Sequence, residues 1–164
     1  MNGARARLDN RFTFPRRLIT RPADAGGEDH EEVDEQGLAD LDAAGELALY
    51  WCAHGLGYGI RKASLRDLGA GCAVVINVSR GVVDQTRAAF PRVHIFNITA
   101  SKAALRARLQ QRGREDARTI EVRIARALSY RVAGNDVTEI ANDADLSTGI
   151  ERFVAALLAV SRGV

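Results

Sequence analysis

The sequence predicts an α/β fold with a largely parallel sheet. Helical and strand-like segments alternate along the chain, and no internal repeat or low-complexity linker breaks that order. The run CAVVINV at 72–78 is short, β-branched and apolar on both faces, as a central parallel strand should be.

Strands are expected at residues 11–20 (with Pro15 as an irregularity), 46–54, 72–78, 93–99 and 136–142. Helices fit between them. DEQGLADLDAAG at 34–45 and KASLRDLGAG at 62–71 are short, each broken by glycine near its end. SKAALRARLQQRG at 101–113 has Ser101 as N-cap and Gly113 as C-cap. Ser147 is placed to cap a last helix, along which Ile150, Phe153, Val154, Leu157 and Leu158 recur on one face. MNGARARLD reads as the tail of a helix rather than the opening of a domain.

A chain of 164 residues fits one domain, and 46% hydrophobic with 27% charged residues describes a globular protein rather than a disordered one. No apolar run approaches the roughly 18–20 residues of a membrane span, and the first residues carry no apolar signal core, so a cytoplasmic location without membrane contact is expected. Cys52 and Cys72 lie in apolar stretches and are expected as buried, reduced thiols. His30, His54 and His94 show no metal-ligand spacing.

Net charge is only +2, but its distribution is uneven. Residues 28–35 (EDHEEVDE) are acidic, whereas Arg106, Arg108, Arg112, Arg114, Arg118, Arg123, Arg126 and Arg131 crowd one segment. Arginine in place of lysine suits planar, bidentate capture of phosphate. Nucleic acid is disfavoured as the partner, because aromatic residues make up only 5% and the overall charge is nearly balanced.

The stretches RRLITRPADAGGEDH (16–30), GELALYWCAHGLGYGI (45–60), RLQQRGREDARTIEVRIARA (108–127) and VTEIANDADL (137–146) follow in an order that resembles the guanylate-kinase-like phosphotransferases. The first two resemble the acceptor-binding region, about 21–60; the third resembles the mobile lid, about 106–126; the last resembles the strand and loop near the adenine base. The implied fold is a guanylate-kinase-like P-loop kinase with a mostly parallel sheet, one domain over 1–164. Leu49 stands where guanylate kinases read the guanine edge with glutamate, and Asp24 where they place a second arginine. A site that hydrogen-bonds a base edge does not lose its acceptor cheaply. ITRPADAGGEDH, AHGLGYGI and NVSRG instead resemble the bacterial ribose 1,5-bisphosphate phosphokinases of phosphonate breakdown. That resemblance implies phosphoryl transfer from ATP, with Mg2+, to ribose 1,5-bisphosphate, giving 5-phosphoribosyl 1-diphosphate. The alternatives are a non-catalytic phosphate-binding module of the same fold, or a nucleoside monophosphate kinase.

Site residues follow from the resemblance, each beside a structural alternative. Arg17 and Arg21 would clamp an acceptor phosphate, or form a solvated strand end. Asp29 and His30 would hydrogen-bond ribose hydroxyls or phosphate, or belong to a solvated acidic loop. His54 and Tyr58, with Gly55 and Gly59, form a tight turn that presents Tyr58 to phosphate or sugar, or a plain turn. Trp51 is assigned to the core. Asn77, Ser79 and Arg80 follow the 72–78 strand at its carboxyl end, where α/β sheets bind ligands. Arg112 and Arg123 would stabilise charge on the transferred phosphoryl group, with Arg108 and Arg114 supporting them against ATP.

Such kinases use G-x-x-x-x-G-K-S/T between the first strand and first helix, and these 164 residues contain no such motif. MNGARARL corresponds to the helix just after it, so the first, central strand and the phosphate loop are expected to be missing. A downstream-assigned start, a truncation or a degenerate gene would each explain that. Closure of the neighbouring strands, or a second copy in a homodimer, would cover the gap.

Overall fold

The computed structural model describes residues 1–66, 68, 71–113 and 116–161. The chain forms two compact units, Met1–Arg92 and Val93–Val164.

The first unit runs α1 (Asn2–Arg5), β1 (Phe12–Thr13), β2 (Leu18–Ile19), β3 (Glu31–Glu32), α2 (Glu35–Ala43), β4 (Leu47–Ala53), β5 (Leu56–Arg61), β6 (Ala73–Val74) and α3 (Val83–Ala89). Among the described residues β1 pairs with β6 in parallel, and a four-stranded sheet has the order β3-β2-β5-β4. In that sheet β2 and β3 are parallel, while β2–β5 and β4–β5 are antiparallel.

The strand expected over 11–20 is divided in two. Pro15 has no N–H to give a ladder and restricts Phe14 before it. The residues ahead of it pair with β6, and those after it join the other sheet. Of the expected strand at 72–78, Ala73–Val74 form β6 and Cys72 bridges Leu68; beyond them, Ile76 and Val78 pack into a core. KASLRDLGAG gives a single 3-10 turn at Lys62–Leu65 in place of an α-helix, and residues 67, 69 and 70 lie outside the described set.

The turn at His54–Gly55 is a two-residue hairpin, with Ala53 facing Leu56 across it. Its backbone takes φ of +55° and +74°, the left-handed pair that matches the twist of the flanking strands. Tyr58 therefore belongs to strand β5 and not to the turn.

Alternation along β2 sends Leu18 and Ile19 to opposite faces, and each seeds a core. One holds Leu18, Leu38 and Leu47; the other holds Ile19, Leu49, Trp51, Tyr58 and Ile60. Helix α2, capped by Asp34 accepting from the Gly37 N–H at 2.7 Å, lays Leu38 on the first face. Contact is close because β5 offers glycine there: a Cβ at Gly57 would sit 2.6 Å from Leu38 Cδ2. Gly57→Ala is expected to cost about 1–3 kcal/mol by overpacking, read as a lowered urea midpoint at unchanged slope.

The second unit runs β7 (Ile95–Thr99), α4 (Lys102–Arg112), α5 (Ala117–Ser129), β8 (Val137–Ala141) and α6 (Leu146–Ser161). Strands β7 and β8 pair in parallel and in register from Ile95↔Val137 to Thr99↔Ala141. Ser101 caps α4 as expected, accepting from the Ala104 N–H at 3.2 Å, and Gly113 ends it at φ +62°. Asp116 caps α5 in the same way through the Thr119 N–H. Helix α6 is capped two residues earlier than expected. Asp145, not Ser147, accepts from the Thr148 N–H at 3.0 Å, because a carboxylate one residue outside the helix reaches the free amides that Ser147 inside it cannot. Phe96 meets Phe153 edge-on at 5.7 Å, closing α6 onto the strand pair. No described helix is long and apolar enough to cross a membrane.

Candidate functional site

Strand β2 ends at the sheet edge where Thr20 ties the β4–β5 hairpin. The Thr20 N–H donates to the Gly57 carbonyl, and the Gly57 N–H returns to Thr20 Oγ1 at 2.8 Å. The residues on either side of this knot, Arg17 and Arg21, meet the loop 23–30.

Arg17 is held on every side. Its Nε and Nη2 each donate to a Glu28 carboxylate oxygen at 2.7 Å, and its Nη1 donates to the Asn77 carbonyl at 3.3 Å. The guanidinium lies 4.9 Å from the Tyr58 ring centre and 6.0 Å from that of Trp51, two rings stacked 5.2 Å apart. Trp51 is core, as expected, but its Nε1 also donates to Ser79 Oγ at 3.0 Å. Asn77 Nδ2 completes the cluster by donating to Glu28 at 3.4 Å. Arg17, Tyr58, Asn77 and Ser79 are thus brought together. Partial burial by itself would raise the Glu28 carboxyl. The bonds and charge of Arg17, then Asn77 and the nearby His30, outweigh that and hold it below the ordinary range.

Arg21 differs. Its Nη2 donates to the Gly26 carbonyl at 2.9 Å, but its buried Nε has no hydrogen-bond partner among the described residues. An unpaired buried donor is costly unless a water or a ligand accepts from it. Gly26 and Gly27, at φ +73° and +96°, turn the loop back over this side chain.

His30 is 3% exposed. Its Nδ1 faces the Glu28 carbonyl at 3.0 Å and its Nε2 the Arg21 carbonyl at 3.1 Å, so the ring staples the loop. Asp29 points outward, 3.4 Å from Arg16 and 3.9 Å from Arg5. His54 is exposed in the hairpin turn, at the same end of the sheet as Thr20. Arg80 opens the 3-10 turn Arg80–Val82, directly after Ser79. Cys52 corrects the expectation of a buried thiol. It is exposed, because β4 alternation turns Trp51 inward and Cys52 outward.

In the second unit Arg108 Nη2 donates to the Ala144 carbonyl at 2.9 Å, joining α4 to the loop 142–145. Asp143 of that loop accepts from the Ser101 N–H, which with Arg108 and Arg152 keeps its carboxyl low. Asn142 Oδ1 is buried with no partner among the described residues. Arg123 lies on the exposed side of α5, whose Ile120 and Ile124 turn inward. Arg112 ends α4 with its side chain outside the described set, and Arg114 lies outside it altogether. Arg106 and Lys102 meet Glu121 at 2.6 and 3.5 Å, linking α4 to α5.

Two participants escaped sequence reasoning. Glu28 was hidden in an acidic run, where one carboxylate reads like the next. The polar role of Trp51 depended on Ser79, distant in sequence, and no local pattern announces such a bond.

No family model matches the chain. Among curated proteins it is 42% identical over 144 residues to the ribose 1,5-bisphosphate phosphokinase PhnN of Rhizobium etli, a match covering 88% of this chain and 73% of that protein. It is 45% identical to the phosphokinase of the same name from Agrobacterium fabrum, covering 87% and 79%. It is also 42% identical over 161 residues to a bifunctional ribose 1,5-bisphosphokinase-thymidine phosphorylase of Azorhizobium caulinodans, covering 97% of this chain but only 23% of that longer protein. A solved guanylate kinase from Anaplasma phagocytophilum superposes with a TM-score of 0.71 at 18% identity, over 98% of this chain and 81% of that one, which establishes the fold. With relatives matched over most of their length at this identity, the chain belongs to the ribose 1,5-bisphosphate phosphokinase family.

Proposed function

We propose that this protein phosphorylates ribose 1,5-bisphosphate at the expense of ATP, and that Arg21 anchors a phosphate of that acceptor sugar. The γ-phosphoryl group passes to an oxygen of the 1-phosphate, its bond to ADP breaks, and 5-phosphoribosyl 1-diphosphate forms. The unpartnered buried Nε of Arg21 carries this reading, because it is a cationic donor in want of an anionic acceptor. Arg17, held by Glu28 and the two rings, serves as the strut that keeps this wall in place. Leu49 supports a sugar acceptor over a base. It is 2% exposed within the apolar core, with nothing to offer a guanine edge.

The regions about 21–60 and about 106–126 act in this reading as acceptor site and lid of one catalytic domain. The orphan acceptor of Asn142 fits the amino group of a purine, and Arg108 holds its loop. For Mg2+ the described residues offer no cluster of three or more His, Cys, Asp or Glu side chains. Arg123, with Arg112, would neutralise charge on the moving phosphoryl group. Because Arg123 is exposed, Arg123→Ala should shift stability by less than about 0.5 kcal/mol while lowering turnover at least about 100-fold. Equal losses in urea unfolding and rate would remove it from the chemistry.

Phosphorus NMR of the protein with ATP, Mg2+ and ribose 1,5-bisphosphate tests the whole reading. The diphosphate signal of the product is expected, and transfer to GMP at comparable efficiency would overturn it. A second reading, a module that binds the sugar phosphate without turnover, would show in the same spectra as a perturbed but unconverted acceptor.

A further inference from the structure

A carboxylate in a wall meant for phosphate is out of place unless something else on the ligand needs it. Glu28 sits within one cluster with Arg17, Tyr58 and Asn77, and two residues from the Gly26 carbonyl that Arg21 holds. Its charge is cancelled by the two-bond pairing with Arg17, so its repulsion of an incoming phosphate is muted. What survives is accepting capacity. A carboxylate offers about four lone-pair sites, and among the described residues Oε1 accepts from Arg17 Nε while Oε2 accepts from Arg17 Nη2 and Asn77 Nδ2. The side chain keeps 26% of its surface exposed, so the carboxylate is not fully sealed off. Phosphate oxygens, being acceptors, cannot use it. Only the hydroxyls of a sugar phosphate donate.

We propose that Glu28, propped by Arg17 and Asn77, is the residue that recognises a ring hydroxyl of the acceptor and so makes this site select a hydroxylated sugar phosphate over a bare one. The inference rests on the acceptor-site reading of Arg21 above. It assigns Arg17 and Asn77 a positioning task, fixing the carboxylate by the hydrogen bonds they donate to it. The lone tryptophan, Trp51, stands 6.0 Å from the Arg17 guanidinium and reports binding by its emission.

The test titrates the intact chain with ribose 5-phosphate and with tetrahydrofurfuryl phosphate, the same ring carrying no hydroxyls. The wild type is expected to prefer ribose 5-phosphate by at least about ten-fold. In Glu28→Gln, which keeps the shape but not the charge, the ratio should fall to about two-fold or less, with tetrahydrofurfuryl phosphate binding unchanged or tightened. Glu28→Asp preserves the charge opposite Arg17, and hence the fold, but withdraws the oxygens, so its ratio should fall likewise. A merely structural Glu28 would weaken both ligands equally; an unchanged ratio in the two folded variants, checked by circular dichroism, overturns the proposal. If the wild type binds neither phosphate, the acceptor-site reading itself fails and the proposal falls with it. Binding of both with no preference refutes only the role of Glu28.

Discussion

Arg21→Ala is expected to weaken ribose 5-phosphate binding about 100-fold while leaving thermal unfolding almost unchanged. The side chain gives the protein little as it stands. One nitrogen holds the exposed Gly26 carbonyl, and the buried Nε holds nothing among the described residues. Removing an unsatisfied buried donor relieves a desolvation cost, which offsets the bond lost to Gly26. The ligand, in contrast, loses a planar, charge-assisted fork. Arg21→Lys should recover only part of the affinity, because an ammonium keeps the charge but not the two-pronged geometry. Trp51 emission follows binding, and a dissociation constant unchanged by Arg21→Ala would place the acceptor phosphate elsewhere.

Arg17→Met should behave in the opposite way, lowering stability by about 2–4 kcal/mol. Arg17 is 13% exposed and pairs with a Glu28 that is 26% exposed; its loss strands a half-buried carboxylate and unpins the Asn77 carbonyl. The pH dependence follows from the direction of the Glu28 shift. Its carboxyl titrates below the ordinary range when folded, so the pair stabilises fully above the unfolded value and that contribution is lost as pH falls through the folded one. The deficit of Arg17→Met against wild type in urea should therefore be largest near neutrality and shrink as the pH falls below the ordinary carboxylate range. A deficit independent of pH would mean that Arg17 stabilises through its contact with the rings rather than through its charge. Together the two arginines separate binding from framework, although they stand four residues apart on one short segment.

Local chemistry made much of this protein legible. Ser101 and Gly113 bound α4 because capping needs only a hydroxyl before the first turn and a residue free to adopt positive φ after the last. Helix α2 and strands β4, β7 and β8 carry periodicities that survive folding. The family resemblance rested on ordered motifs, and relatives matched along most of their length agree with it. Where an element owed its form to distant partners, the same reading fell short. The two residues of β3 lie in an acidic run with poor strand propensity, yet they pair because the Glu31 N–H finds the Arg17 carbonyl and the Val33 N–H that of Ile19. Strand β5 was hidden by its glycines, which read as a turn until Leu38 is seen to need their missing side chains.

Determined by the sequence alone were the alternation of elements, the caps of α4, the arginine-rich segment and the candidate residues around Thr20. Which of two similar arginines is tied to a carboxylate and which keeps a buried Nε unpaired among the described residues was decided only by tertiary structure. Hydrogen-bond saturation is a property of the whole neighbourhood, and Glu28, Asn77, Tyr58 and Trp51 reach Arg17 from four separate stretches of chain.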